Sequence, residues 1–399
     1  MCGCHWFTLF GHAALIVAPL TLRFHTSFLP FTAGAEDIYG IKLRMSDAFK
    51  TPLAVVCSLA LASNPGFANP QGMTVARGSA SATQNGSQMT IRASQNAVLN
   101  WQSFNIGAGQ TTTFVQPSSH SVVWNQIGGQ SPSQILGSLN ANGNVVLMNQ
   151  NGFFFGPNCS INVGGFVAAS AAVLPPPSAG GSFWSYQGPP PDAKIINYGE
   201  INVQSGGSLF LIAEGVENHG LLSAPDGQLG LFAGKEVMLN DRPDGRGLSA
   251  KVRLPQGSVD NSGRLIADAG SISLQAQVVN QNGLIQANSV REHGGVIELL
   301  ATDSVNLGAN SVITANGDIS SASSGGKITL KSGGVFSDET GSRLGVRGGP
   351  LGGNGGTVEL SSENLGSVAS RLDGTAQAGW AGGRLLIDPN TITIGNSGS

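Results

Sequence analysis

One phrase keeps returning along this chain, a glycine-containing turn followed by alternating apolar residues. It reads GGSLFLIA (206–213), DGQLGLFA (226–233), AGSISLQA (269–276), GGVIELLA (294–301), GGKITLKS (325–332), GGTVELSS (355–362) and GGRLLIDP (382–389). The glycine before each run falls at 207, 227, 270, 295, 326, 356 and 383, in steps of 20, 43, 25, 31, 30 and 27. A second phrase lies between copies: NYGEINV (197–203), NHGLLSA (218–224), NSGRLIA (261–267) and NGLIQA (282–287). A period of this length, built from short segments, is the mark of a solenoid. Period-two alternation excludes helical repeats, and the LxxLxL spacing of leucine-rich repeats is absent. An all-β fold remains, a parallel β-helix in which each coil lays its strands on those of the coil before, about 4.8 Å away. Corners then call for residues that tolerate φ > 0, and Asn at equivalent corners can form a hydrogen-bonded ladder.

The stretch NVVLMNQNGFFFGPNCSINVGGFVAAS (144–170) fits one coil and the start of the next: strands at 145–148, 153–155 and 161–163, cut by NQNG and GPNCS. The core is in pieces because the chain turns every few residues. Roughly 330 residues at about 24 per coil make about 13 coils, a rod about 60 Å long. Charged residues are 11% of the chain, against about 25% in typical soluble domains, but the 40% hydrophobic residues are clustered and can build a core. A net charge of −3 offers no electrostatic basis for a nucleic-acid partner.

Residues 1–68 read as a leader. From Met45, Lys50 precedes an apolar core, Pro52 to Ala62, and Gly66 and Ala68 occupy the −3 and −1 positions of a cleavage site that leaves Asn69 first. A buried core helix is the alternative. Upstream, the apolar run Trp6–Leu22 is broken by His12 and Pro19. An over-extended start, with Met45 as initiator, or an extended leader would each account for it. Of Cys2, Cys4, Cys57 and Cys159, cleavage spares Cys159, a small core or turn residue without a disulfide partner.

Residues 69–143 alternate like strands and are expected to cap the first coils, since an open β edge invites aggregation. β-helix coils follow over 144–240 and further β-helix repeats over 241–399. Two segments interrupt them. The Pro/Gly-rich 173–192 carries Phe183, Trp184 and Tyr186 and reads as a loop with an aromatic staple. The charged 240–258 reads as a solvated loop. The end, GNSGS directly after TITI, has no visible capping unit and leaves a folded-over tail, a truncation or an end-to-end contact open.

NWQSFNIGAGQTTTFVQPSS (100–119), SPSQILGSLNANGNVVLMNQNGFFFGPN (131–158) and INVGGFVAAS (161–170) resemble the secretion domain of two-partner secretion exoproteins, the filamentous haemagglutinin-type adhesins of Gram-negative bacteria. The resemblance is strong over about 69–240, and the repeats through LLIDPNTITI (385–394) look like the body that follows in that family. It implies a right-handed parallel β-helix with an N-terminal β cap. It also implies export by the Sec machinery, then recognition by an outer-membrane TpsB-type barrel with POTRA domains. The chain would cross unfolded and fold outside, secreted or surface-associated. The family's Asn-Pro-Asn-Gly-Ile motif, for transporter recognition or fold nucleation, falls on Asn149, Gln150, Asn151, Gly152 and Phe153, with Gln150 and Phe153 departing from it. Folding coil by coil suits this route, because local contacts form quickly.

Surface adhesion or haemagglutination, through a host or cell-surface ligand that the sequence does not identify, is the expected role. An N-terminal fragment of a contact-dependent toxin carrier or a haemolysin would share the secretion domain. VENH (216–219) faintly resembles a toxin-preceding VENN, but Asn218 belongs to the repeat. A β-helical polysaccharide-active enzyme would need clustered carboxylates, whereas Asp268, Glu298, Asp303, Asp318 and Glu359 are scattered. His120, His219 and His293 have no metal-ligand spacing. No catalytic residue, metal or cofactor is expected.

Overall fold

A computed structural model describes residues 69–170, 183–185, 193–234, 237–242, 244–246, 248–252 and 255–389. The chain divides into two units, Met1–Ala60 and Leu61–Ser399. The first, and the expected cleavage residues Gly66 and Ala68, lie outside the described residues, as does TITI near the end.

The described residues hold strands and no helix. The fold is the parallel β-helix expected from the repeats, right-handed as the resemblance implied, with strands arranged in sheets of 17, 12 and 3. A coil has three faces. In one coil these are Asn144–Asn149, Phe153–Phe155 and Ser160–Val163. The first two faces belong to the 17-stranded sheet and the third to the 12-stranded sheet. On the first face eleven described strands stack, from Ala97–Trp101 to Arg384–Pro389, a length of about 48 Å. This is shorter than the 13 coils expected, because the N-terminal segment and the insertions do not add rungs.

Alternation decides which side chains enter the core. Val145, Phe166, Leu209, Leu229, Ile272, Ile297, Ile328 and Val358 occupy one register position on successive coils, and all are buried. Each such residue contributes roughly 1.5–3 kcal/mol by burial. In the later coils the first corner is not a break. Ser271–Gln281, Val296–Leu307 and Lys327–Asp338 run across it as single strands. The register shifts between Ala276/Val278 and between Ser332/Val335 mark bulges that bend the strand.

Over the N-terminal residues, Thr74–Arg77 pairs antiparallel with Ala97–Trp101 and Ala80–Asn85 with Gln88–Ala93. From Gln88–Ala93 onward the stacking is parallel.

The charged insertion departs from its reading as a solvated loop. Val237–Asp241 and Leu248–Val252 form an antiparallel hairpin, and Phe183–Ser185 of the Pro/Gly-rich segment adds a third strand. Val237, Leu239, Leu248 and Val252 are buried with Trp124, Val146, Met148, Val167, Phe210, Ile212 and Phe232, outward side chains of the first face. The expected boundary at 240/241 therefore falls inside a strand. Arg242, Asp244 and Arg246 lie at the hairpin tip, where Arg242 pairs with Asp244 and Arg246 lies 3.0 Å from Asp226.

The recurring glycines have a reason other than positive φ. Gly207, Gly227, Gly270, Gly326 and Gly356 have ordinary φ, and a Cβ at each would collide with the carbonyl oxygen of the stacked glycine one coil earlier. The second phrase adds a buried polar ladder. Asn197 Nδ2 donates to Asn218 Oδ1 (2.8 Å), Asn218 Nδ2 to Asn261 Oδ1 (2.8 Å) and Asn261 Nδ2 to Gln281 Oε1 (2.7 Å). Each rung satisfies the next, so the polar groups can be buried. Asn218 of VENH is one of these rungs.

Candidate functional site

Asn149 to Phe153 joins the first face of a coil to the second. The Gly152 N–H donates to the Asn149 carbonyl at 2.9 Å and closes a four-residue turn. Gln150 and Asn151 are not at positive φ, whereas Gly152 is at φ 88°. That is the pattern of a type I turn, with Asn first and Gly last. Gly152 is required twice over, since a Cβ there would also strike the Lys194 carbonyl oxygen of the next coil.

Asn149 is fully buried. Its Nδ2 donates to the Ser131 carbonyl and to Ser133 Oγ, both at 3.0 Å. Its Oδ1 accepts from the Asn151 N–H at 2.9 Å and from Asn151 Nδ2 at 3.1 Å. Asn151 Nδ2 reaches the Gly129 carbonyl at 2.7 Å. The two asparagines thus staple this corner to the 129–133 segment one coil earlier. That segment walls a cleft of ≈ 340 Å³ that also includes Gln102, Ser103 and Asn105. Phe153 lies in the core, its ring parallel to that of Phe155 with centroids 5.9 Å apart.

The structure therefore brings Asn149, Asn151 and Gly152 together, exposes Gln150 and buries Phe153. Asn69 lies elsewhere, in the N-terminal part, where its Nδ2 donates to the Ser87 carbonyl (3.2 Å) and its Oδ1 accepts from Thr112 Oγ1 (3.2 Å). Sequence reasoning missed the partners Gly129, Ser131 and Ser133. The polar run GGQSPSQ (128–134), one coil before NQNG, was the available signal.

Position 150 is the second residue of the turn, where Pro is favoured. Gln150→Pro should raise stability by about 0.4–1 kcal/mol, chiefly by restricting the unfolded chain. Chemical denaturation would show an upward shift of the midpoint with an unchanged slope.

Cys159 follows the next corner and is buried. Burial pushes its thiol up to about 12. At pH 8 the thiolate is then about one part in 10⁴. Ellman's reagent should leave Cys159 unlabelled in the folded chain and label it promptly in denaturant.

The acids weighed for an enzyme do not adjoin. Glu298 and Glu359 share a register position, but Thr329 stands between them. Among the described residues no group of three or more His, Cys, Asp or Glu could hold a metal ion.

Comparison with known proteins agrees with the geometry. The family model for the TPS secretion domain matches residues 67–320. The solved secretion domain of HMW1 from Haemophilus influenzae superposes with a TM-score of 0.62 at 25% identity, covering 80% of this chain and 100% of that one. A heme/hemopexin-binding protein of Haemophilus influenzae (strain Rd) is 28% identical over 265 residues, 63% of this chain and 29% of its own length. A second heme/hemopexin-binding protein of Haemophilus influenzae is 42% identical over 84 residues, 21% of this chain and 9% of that protein. The chain thus spans less than a third of the curated relatives it matches.

Proposed function

The chain belongs to the TPS secretion domain family, and on that premise we propose that it directs a two-partner secretion exoprotein out of a Gram-negative cell. A leader ending at Ala68 delivers it through the Sec machinery. A TpsB-type outer-membrane barrel then takes it up through periplasmic POTRA domains, and it folds on the far side. The family match over 67–320 carries this reading. Two features support it. The β-helix is built from nearest-neighbour coils, which can form one after another as the chain emerges. Cys159 is the sole cysteine after Ala68, so no internal disulfide would block threading.

Asn149, Gln150, Asn151, Gly152 and Phe153 serve this export in one of two ways, as a segment read by the barrel or as the corner that nucleates folding outside. The buried contacts of Asn149 favour nucleation, because they exist only in the folded state. Once outside, the rod serves surface adhesion. The names of the heme/hemopexin-binding relatives favour a second role, capture of a haem-carrying ligand by the whole exoprotein.

The test is binding to the immobilised periplasmic part of a TpsB-type barrel. Chain diluted from urea immediately before contact is expected to bind, and prefolded chain to be excluded. Equal binding of both forms would contradict recognition of the unfolded chain.

A further inference from the structure

The 12-stranded sheet carries a notch of ≈ 310 Å³ on its outer side, floored by Gly345 and walled by Thr314, Arg343, Arg347, Arg371 and Asp373. Arg343 and Arg371 are direct register neighbours on Arg343–Gly345 and Arg371–Asp373, and both are exposed. Their Cα atoms therefore stand one rung apart, about 4.8 Å, and the two guanidinium groups rise from adjacent strands of one face. Like charges placed directly opposite destabilise a sheet. Asp373 offsets this only in part, because it also accepts from the Thr375 N–H (3.2 Å) and Oγ1 (2.9 Å) and lies 3.7 Å from Arg347. Three arginines against one carboxylate leave a local surplus of positive charge on a chain of net charge −3.

Guanidinium forks match planar oxyanions. Asp373 narrows the choice of ligand. A bare sulfate or phosphate would be drawn to the arginines and repelled by the carboxylate beside them. A sugar ring that carries both hydroxyls and an acidic group satisfies both, and Val312 and the Thr314 methyl offer an apolar wall to its C–H face. The notch is at the small end of ligand sites. It is too small for the many phosphate contacts that support nucleic-acid binding.

We propose that this notch binds an acidic polysaccharide, the Arg343–Arg371 pair holding a carboxylate or sulfate of one ring while Asp373 accepts a hydrogen bond from a ring hydroxyl. The site depends only on the folded coils and is independent of the export reading.

The test is retention of the full chain on immobilised hyaluronan, which carries carboxylates, and on heparin, which also carries sulfates, with inorganic sulfate as a separate ligand. Wild type is expected to bind at least one polymer, and the column that retains it identifies the acidic group. The doubly substituted Arg343→Gln, Arg371→Gln chain should bind at least tenfold more weakly. Arg264→Gln, in the same column three rungs away, should bind as wild type. Asp373→Asn should weaken polymer binding and strengthen binding of inorganic sulfate. Thermal melts should show the arginine variants folded and no less stable than wild type. Binding of neither polymer, undiminished binding by the double variant, or an equal loss in Arg264→Gln would overturn the proposal.

Discussion

Asn149→Ala is expected to destabilise the coil stack around 144–163 by about 3–5 kcal/mol. The substitution removes four hydrogen bonds at a fully buried position. It leaves the buried Ser133 Oγ without its partner, at about 1–3 kcal/mol, and removes the part-buried bonds to the Ser131 carbonyl and from the Asn151 N–H, at about 0.5–1.5 kcal/mol each. The turn hydrogen bond from Gly152 to the Asn149 carbonyl is backbone and survives. The loss is therefore in the staple to 129–133, not in the turn. Hydrogen exchange should show it as early opening of 129–155 while the coils beyond 270 stay protected, because a solenoid transmits stability mainly between neighbours. A variant whose exchange matches wild type would refute the assignment of Asn149 as the staple. Asn151→Ala should cost less, since it removes only the bonds to Asn149 and Gly129.

Gly326→Ala should cost about 3 kcal/mol or more. At a glycine with ordinary φ, alanine normally stabilises by about 0.4–1 kcal/mol through the unfolded chain. Gly326 has ordinary φ, so a backbone argument alone gives the wrong sign. Its missing Cβ is what lets it lie against the Gly295 carbonyl, which also accepts from the Lys327 N–H at 2.9 Å. An added methyl meets backbone that is fixed by the ladder on both sides, with Gly356 stacked on the next coil. Overpacking of cores costs about 1–3 kcal/mol when side chains can give way, and here none is in the way to move. Urea titration should show a lowered midpoint, and a neutral or raised midpoint would sink the close-approach explanation. Gly86, where a Cβ would meet nothing within 4 Å, serves as a comparison for steric crowding, although its φ of 58° adds a strain of its own.

The fold was legible because the physical cause of the repeat is written into it. KITLKS (327–332) and TVELSS (357–362) alternate with period two, and the structure buries one face of each, with Thr329 of the opposite face buried as well. The asparagines of NYG, NHG and NSG were legible as corner residues, and they form the ladder. Less legible was the meaning of runs that do not alternate. VVLM (145–148), FVAA (166–169) and LFLI (209–212) are apolar at every position, and their strands are buried on both faces. Continuous apolar character is what a covered strand requires. It implied that something lies over the first face, and the hairpin Val237–Val252 is that cover. The hairpin was misread because Arg242, Asp244 and Arg246 dominate its composition, while Val237, Leu239 and Leu248 alternate quietly around them. The recurring glycines were noticed, but for φ instead of for proximity, since sequence gives the spacing of residues and not the distance between coils.

At the candidate site, the resemblance placed Asn149–Phe153 and the turn chemistry explained Gly152. It could not reveal that Asn149 points back one coil. That contact depends on register, which is settled by stacking over 18 residues of separation. Gln150, a departure from the family motif, falls on the one exposed residue of the segment. Phe153, the other departure, replaces one core side chain with a larger one that has room beside Phe155.

The central claim is that this chain leaves the cell through a dedicated barrel. The most direct measurement is the mass and N-terminal sequence of the protein in culture medium, with and without a coexpressed TpsB-type barrel. The account predicts intact protein beginning at Asn69, found in the medium only when the barrel is present. Protein retained in the periplasm in both cultures, or released equally in both, would contradict it.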